Sequence, residues 1–147
     1  MYQRILIATD GSPLSRKATA HGLALAALAR ARVIAIKVVP RYPKRFLDGA
    51  LPLSTLEIKR VEDEWAAQAQ ALMREVKDEG TDAGVLVKTL VVKADLVAEA
   101  IIAAAKKHDC DLIVMASHGR KGVKRVLLGS ETQNVLTHSD VPVLVLR

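Results

Sequence analysis

Short apolar runs alternate with longer segments in which apolar and polar residues recur at helical spacing. The runs are rich in Val, Ile, Leu and Ala, as in strands buried on both faces of a sheet. They cover 4–9, 32–39, 85–92, 112–116 and 141–146. Helices are predicted over 13–31, 56–79, 96–108 and 131–137. This alternation predicts an α/β fold, a doubly wound parallel sheet with right-handed crossovers and helices on both faces.

Residues at the ends of these segments refine the prediction. Ser12 and Pro13 suit the N-cap and first position of a helix, and Gly80 is placed to end the helix over 56–79. Lys88 and Lys93 interrupt the third apolar run, so we expect that strand near the edge of the sheet.

A glycine-bearing loop follows the fourth apolar run, and a short helix follows the loop. This order presents free backbone N–H groups to an anion. Gly119 and Gly129 are expected to allow a positive φ and a close approach by a ligand. Ser130 with Gln133 predicts a capping box. The alternative is an ordinary loop with a solvated basic rim, formed by Arg120, Lys121, Lys124 and Arg125.

Ligands of doubly wound sheets bind beyond the carboxyl ends of the strands, where the strand order reverses. Asp10 follows the first strand, and residues 116–119 follow the fourth. If these strands are neighbours, both segments line one crevice. Asp10 then either contacts the ligand or only caps the turn before the first helix.

Composition narrows the function classes. The 147 residues suit one domain, and the net charge of +6 fits either solubility alone or affinity for anions such as nucleotides or nucleic acid. Aromatic residues make up only 3%, which disfavours a nucleic-acid surface that stacks bases. A single cysteine, Cys110, excludes an intrachain disulfide and is interpreted as a structural thiol. No zinc-ligand spacing, signal peptide or membrane span is apparent, so a cytoplasmic location is expected.

Three familiar fingerprints are absent from the sequence: the dinucleotide-binding G-x-G-x-x-G, the Walker P-loop and the nucleophile elbow G-x-S-x-G. The motifs that are present are ILIATDGS at 5–12, LIVMASHGR at 112–120, LGS at 128–130 and VPVLV at 141–145. With them the chain resembles the universal stress protein family over 1–147, as one domain. The ATP-binding branch of that family carries G-x-x-G, nine residues, then G-[ST]. Gly119, Gly129 and Ser130 match this spacing, whereas Ala116 stands at the first glycine.

The resemblance implies a Rossmann-like fold of the adenine nucleotide alpha hydrolase type, with five parallel strands in the order 3-2-1-4-5. It also implies that ATP is the ligand, with Mg²⁺ near Asp10. The residues implied to bind ATP are Ala8, Thr9, Asp10, Val38, Met115, Ala116, Ser117, Gly119, Arg120, Gly129, Ser130 and Glu131. Taken on its own chemistry, Glu131 is expected to face solvent and to favour the helix dipole rather than a phosphate.

The function implied by the resemblance is that of a nucleotide-responsive stress regulator with slow ATP hydrolysis at most. The last strand commonly mediates dimers in that family, which implies a homodimer through Val141, Val143 and Val145, and an unidentified protein partner. Two alternatives stay open. One is an interaction module that binds no nucleotide, which Ala116 favours. The other is a true enzyme, such as a phosphotransferase or an ATP hydrolase.

Overall fold

The computed structural model describes residues 1–42, 54–119 and 128–147. Strands and helices alternate along this part of the chain, as predicted. The strands are β1 (Arg4–Ala8), β2 (Arg32–Val39), β3 (Val87–Lys93), β4 (Leu112–Ala116) and β5 (Val143–Leu146). The helices are α1 (Pro13–Ala29), α2 (Thr55–Asp82), α3 (Val97–Lys107) and α4 (Ser130–His138).

All strand pairs of the sheet are parallel, and the order is β3-β2-β1-β4-β5. This confirms the predicted fold and the predicted edge position of β3. β1 lies at the centre, where Ile7 is in register with Ala35 of β2 and Val114 of β4. The strand order reverses between β1 and β4, so a crevice forms beyond the carboxyl ends of these two strands.

The central strands are apolar at successive positions because each face of the sheet is covered by a layer of helices. Ile5 and Ile7 belong to a core cluster shared with α1 and α2, and Leu6 belongs to a cluster shared with α3 and α4. All three side chains are fully buried. We refer to these as the first and second core clusters. Among the described residues, no helix has the length and apolar character needed to cross a membrane.

The starts of α1 and α2 follow from short polar side chains. Ser12 caps α1 and accepts a hydrogen bond from the Ser15 backbone N–H at 3.3 Å, as predicted. α2 starts with a capping box that sequence analysis missed. Ser54 Oγ accepts from Glu57 N at 3.2 Å, and Glu57 Oε2 accepts from Ser54 N at 2.8 Å.

The predicted end of α2 at Gly80 is wrong, because the helix continues to Asp82. The chain instead turns at Gly84, which has a φ of +70°. Gly80 is buried inside the helix, where an added Cβ would overlap the Val87 side chain. This glycine therefore lets α2 approach β3 closely.

Cys110 lies in the turn before β4, where its backbone N–H donates to the Ala105 carbonyl at 2.8 Å. The side chain is buried in the second core cluster. Burial raises the pKa of the thiol to about 11. Because the thiolate is the reactive form of cysteine, these surroundings suit the structural role predicted for this residue.

Candidate functional site

A cleft with a volume of about 210 Å³ opens beyond the carboxyl ends of β1, β2 and β4. The start of α3 and the first turn of α4 form its remaining sides. Its lining residues are Ala8, Thr9, Asp10, Ser15, Ile36, Lys37, Val38, Val97, Ile101, Met115, Ala116, His118, Gly119, Glu131 and Thr132. The predicted crevice is therefore present, and both segments expected to line it do so.

The predicted site residues separate into three groups. Those that line the cleft are Ala8, Thr9, Asp10, Val38, Met115, Ala116, Gly119 and Glu131. Ser117, Gly129 and Ser130 are not among the lining residues, although Ser117 and Ser130 are each next to one in sequence. Arg120 lies outside the described residues, as do Lys121, Lys124 and Arg125 of the basic rim.

Asp10 caps the turn before α1, which is one of the two roles that the sequence left open, and it also lines the cleft. Its Oδ1 accepts a hydrogen bond from Ser12 N at 2.9 Å, which caps the turn before α1. The same carboxylate lies against Gly119, where an added Cβ would overlap Oδ2. Gly119 thus leaves room for the carboxylate in this position, and neither it nor Gly129 has the positive φ that was expected.

Buried hydroxyls hold the β1 end of the cleft. Ser15 Oγ donates to the Ser12 carbonyl at 3.0 Å and lies 3.0 Å from Thr9 Oγ1. Thr9 Oγ1 also accepts from Gly11 N at 3.3 Å. Because Ser15 donates its hydroxyl proton to the Ser12 carbonyl, Thr9 must be the donor in the bond between Thr9 and Ser15. The network fixes the turn that carries Asp10.

Backbone hydrogen bonds join the start of the glycine loop to α4. Ser117 N donates to the Leu146 carbonyl at 2.6 Å, and the Ser117 carbonyl accepts from Gly129 N at 2.7 Å. The buried Thr132 Oγ1 donates to the Ala116 carbonyl at 2.9 Å. An added Cβ at Gly129 would lie 3.2 Å from the Ser117 oxygen, closer than ordinary van der Waals contact. These contacts hold the N-terminus of α4 against β4.

The capping box predicted at Ser130 is wrong. Gly129 is the N-cap, with φ −65° and ψ 154°, and Ser130 is already the first helical residue. No side chain makes the cap hydrogen bond, and Gln133 Nε2 donates to the Leu128 carbonyl at 3.1 Å instead. The first turn of α4 nevertheless lies beside the cleft, because Glu131 and Thr132 line it.

Glu131 connects α4 to α3. Its Oε2 accepts a hydrogen bond from Ala98 N at 2.9 Å. This N–H belongs to the first turn of α3, whose own N-cap Leu96 makes no side-chain cap bond. Glu131 is exposed, as expected from its chemistry, yet its carboxylate is held at the N-terminus of a neighbouring helix.

Ala116 occupies the position of the first motif glycine without a positive φ. It packs in the first core cluster, whereas the preceding residue, Met115, packs in the second. Ile36 and Val38, which line the cleft beside Met115, also belong to the second cluster. The methyl group of Ala116 therefore belongs to the opposite side of the sheet from the apolar wall of the cleft.

Sequence reasoning missed the lining residues Ser15, Ile36, Lys37, Val97, Ile101, His118 and Thr132. Lys37 could have been noticed as the one internal charge in an otherwise apolar strand. Val97 and Ile101 are four residues apart and so lie on the same face of α3. Thr132 carried no signal, because its partner carbonyl lies on another element.

The charged side chains among the described lining residues are Asp10, Lys37 and Glu131. No group of three or more His, Cys, Asp or Glu residues placed to hold a metal ion occurs within 1–42, 54–119 and 128–147.

Residues 1–147 match the model of the universal stress protein family. Universal stress protein MJ0531 of Methanocaldococcus jannaschii is 33% identical, over 100% of this chain and 83% of the relative. Universal stress protein MJ0577 of the same organism is 31% identical, over 100% of this chain and 96% of the relative.

Solved structures show the same fold. The structure of MJ0577 has a TM-score of 0.77 at 33% identity and covers 99% of this chain and 96% of its own. UspA from Lactobacillus plantarum has a TM-score of 0.84 at 27% identity, with 99% and 98% covered. A universal stress protein in complex with cAMP shares the fold with a TM-score of 0.72 at 24% identity, over 99% and 97% of the two chains.

Proposed function

The chain belongs to the universal stress protein family, and on that premise we propose that its cleft binds an adenine nucleotide, with ATP as the favoured ligand. Binding would make the protein a nucleotide-responsive regulator. The observation that carries the proposal is the cleft itself. It has an apolar slot at one side, and a carboxylate and a helix N-terminus at the other.

The apolar slot suits a planar base. Ile36, Val38 and Met115 form its sheet side, and Val97 and Ile101 of α3 form the opposite side. An adenine ring placed there would remove apolar surface from water on both of its faces, at about 25 cal/mol per Å². The related structure with cAMP supports an adenine-containing ligand at this fold.

The first turn of α4 suits phosphate, because the backbone N–H groups of a helix N-terminus and the helix dipole favour an anion. Ser130 contributes an exposed hydroxyl beside these groups. The N–H of Gly129 already donates to Ser117, so we assign the phosphate contacts to Ser130 and the residues after it. The motif spacing of Gly119, Gly129 and Ser130 supports ATP in particular.

Mg²⁺ fits this site only as a companion of the nucleotide. The cation usually keeps several waters and binds through one or two carboxylates together with the phosphates of a substrate. Asp10 supplies one such carboxylate at the cleft. Its proposed role is to orient the hydrated cation, and hydrolysis is proposed to be slow at most.

Titration calorimetry with ATP tests the proposal. We expect a dissociation constant in the micromolar range, which corresponds to a binding free energy on the order of −8 kcal/mol. Val97→Phe would fill the apolar slot and is expected to weaken binding by about tenfold or more, the equivalent of 1.4 kcal/mol. Leu96→Phe is the matched control, because the neighbouring side chain lines a different groove. Absence of heat at millimolar ATP would favour the interaction module that binds no nucleotide.

We also propose a homodimer through β5, the edge strand opposite β3. Val141, Val143 and Val145 pack partly against the second core cluster of their own chain, whereas Leu144 is 39% exposed. An exposed edge with an apolar side chain favours pairing with another chain. This arrangement shifts the expected apolar contact from the three valines to Leu144 and the free strand edge.

Light scattering during size-exclusion chromatography tests the dimer. We expect about twice the chain mass of 15.9 kDa, and we expect Leu144→Lys to yield monomers. Leu86→Lys, which changes a 68% exposed leucine beside the opposite edge of the sheet, serves as the control. A monomeric wild-type protein at micromolar concentration would count against the proposal.

A further inference from the structure

Glu131 places a negative charge where the proposed function requires phosphate. It is the second residue of α4 and lines the cleft beside Thr132. Its Oε2 is held at 2.9 Å from Ala98 N, so the carboxylate can swing into solvent only by giving up this hydrogen bond. The protein thus supplies its own anion to the helix N-termini at this side of the cleft.

The anchoring makes this charge effective in spite of its exposure. A freely rotating glutamate would move away from an incoming phosphate at little cost. Glu131 would have to give up a hydrogen bond between a charged acceptor and a backbone donor, which is among the stronger kinds in proteins. The Coulomb energy between two unit charges about 4 Å apart in water is about 1 kcal/mol, and it rises where solvent is partly excluded.

Two further charged side chains line the described part of the cleft. Among the described lining residues, Asp10 adds a second negative charge and Lys37 a positive one. Asp10 is bound in the turn before α1, at the β1 end of the cleft. Of these two carboxylates, Glu131 is the one that belongs to α4, the helix whose N-terminus is assigned to phosphate.

We propose that Glu131 is a specificity-determining residue that selects against uncompensated phosphate charge. Its penalty grows with each additional charged phosphate on an adenine nucleotide and is absent for the uncharged nucleoside. A low-charge ligand such as a nucleoside monophosphate, or a triphosphate whose charge is partly compensated by a divalent cation, is admitted in preference to the free triphosphate. This inference rests on the proposed function of the cleft.

The test compares adenosine, AMP and ATP by calorimetry in EDTA, for wild-type protein and Glu131→Gln. The glutamine keeps a side-chain oxygen that accepts from Ala98 N but carries no charge. The ratio of ATP affinity to adenosine affinity is expected to rise about tenfold in the variant, with a smaller rise for AMP, because the Coulomb energy scales with ligand charge. At about 1 M salt, where the Debye length is about 3 Å, most of this rise should disappear.

Glu99→Gln is the matched control. It makes the same chemical change in the first turn of α3, at an exposed residue that lines the neighbouring groove instead of this cleft. Its ATP-to-adenosine ratio should match that of the wild type. Equal changes for all three ligands in Glu131→Gln, or no change at all, would overturn the inference while leaving nucleotide binding intact. If neither adenosine nor a nucleotide binds the wild-type protein, the proposed function itself fails.

Discussion

At the residue scale, the candidate site is held by a few polar contacts between elements that are distant in sequence. Thr132 and Ala116 are sixteen positions apart, yet their hydrogen bond joins the first turn of α4 to the end of β4. Gly119 leaves the space that the Asp10 carboxylate occupies. The sequence indicated Gly119 and Asp10 through the motif, but it carried no sign of Thr132, whose partner is a backbone carbonyl.

Thr132→Val tests the joint between α4 and β4. Valine keeps the shape of the side chain and removes the buried hydroxyl, so the Ala116 carbonyl loses a partner. We expect a loss of about 1–2 kcal/mol in the free energy of unfolding, measured by urea denaturation.

Thr137→Val provides the comparison for that measurement. Its hydroxyl donates within the same helix, to the Gln133 carbonyl at 2.8 Å, but it is exposed to water. The expected change is below about 0.5 kcal/mol, as for most surface substitutions. Equal effects of the two substitutions would mean that the Thr132 bond does not stabilise the joint.

At the element scale, the strands and helices follow the apolar pattern, whereas helix ends depend on single residues. The pattern could not distinguish a glycine that ends a helix from one that permits close packing, which is why the helix end predicted at Gly80 was wrong. It also could not distinguish Gly129 from Ser130 as the N-cap, because a shift of one residue decides which of them has extended backbone angles. Ser54 and Glu57 lie at the start of α2 and have the capping-box spacing, although this signal was missed.

Removing the hydroxyl of Ser54 or of Ser130 is expected to change the free energy of unfolding by different amounts. Ser54→Ala removes a side chain that accepts from Glu57 N, so we expect α2 to lose about 1 kcal/mol of stability. Ser130→Ala removes no cap bond, and the expected change in the free energy of unfolding is below about 0.5 kcal/mol. Urea denaturation of both variants checks this. A larger loss for Ser130→Ala would restore serine as the cap of α4.

The same capping box predicts a dependence on pH. Hydrogen bonds from the Ser54 backbone and side chain hold the pKa of Glu57 below its ordinary value of 4.5. A lowered folded-state pKa contributes stability that is present above 4.5 and is lost as the pH falls through the folded-state value. Denaturation at neutral and acid pH should therefore show a smaller penalty for Ser54→Ala in acid. A penalty that is constant with pH would contradict the role assigned to the carboxylate.

At the scale of the whole molecule, the alternation of elements predicted the parallel sheet, and the family resemblance predicted its strand order. The order then placed Asp10 and Gly119 together, since β1 and β4 are neighbours. The α3 side of the cleft could not be predicted in the same way. Val97 and Ile101 reach the cleft because α3 packs across the sheet against β2, and packing of this kind leaves no local signal in sequence.

The central claim is that the cleft binds an adenine nucleotide, and amide chemical shifts measured by NMR during an ATP titration test it most directly. We predict saturable shifts at residues around the cleft and little change along β3. The residues expected to shift are Thr9, Asp10, Val38, Met115, Gly119, Ser130, Glu131 and Thr132. Saturation by ATP with the largest shifts elsewhere on the surface, or no shifts at millimolar ATP, would contradict the claim.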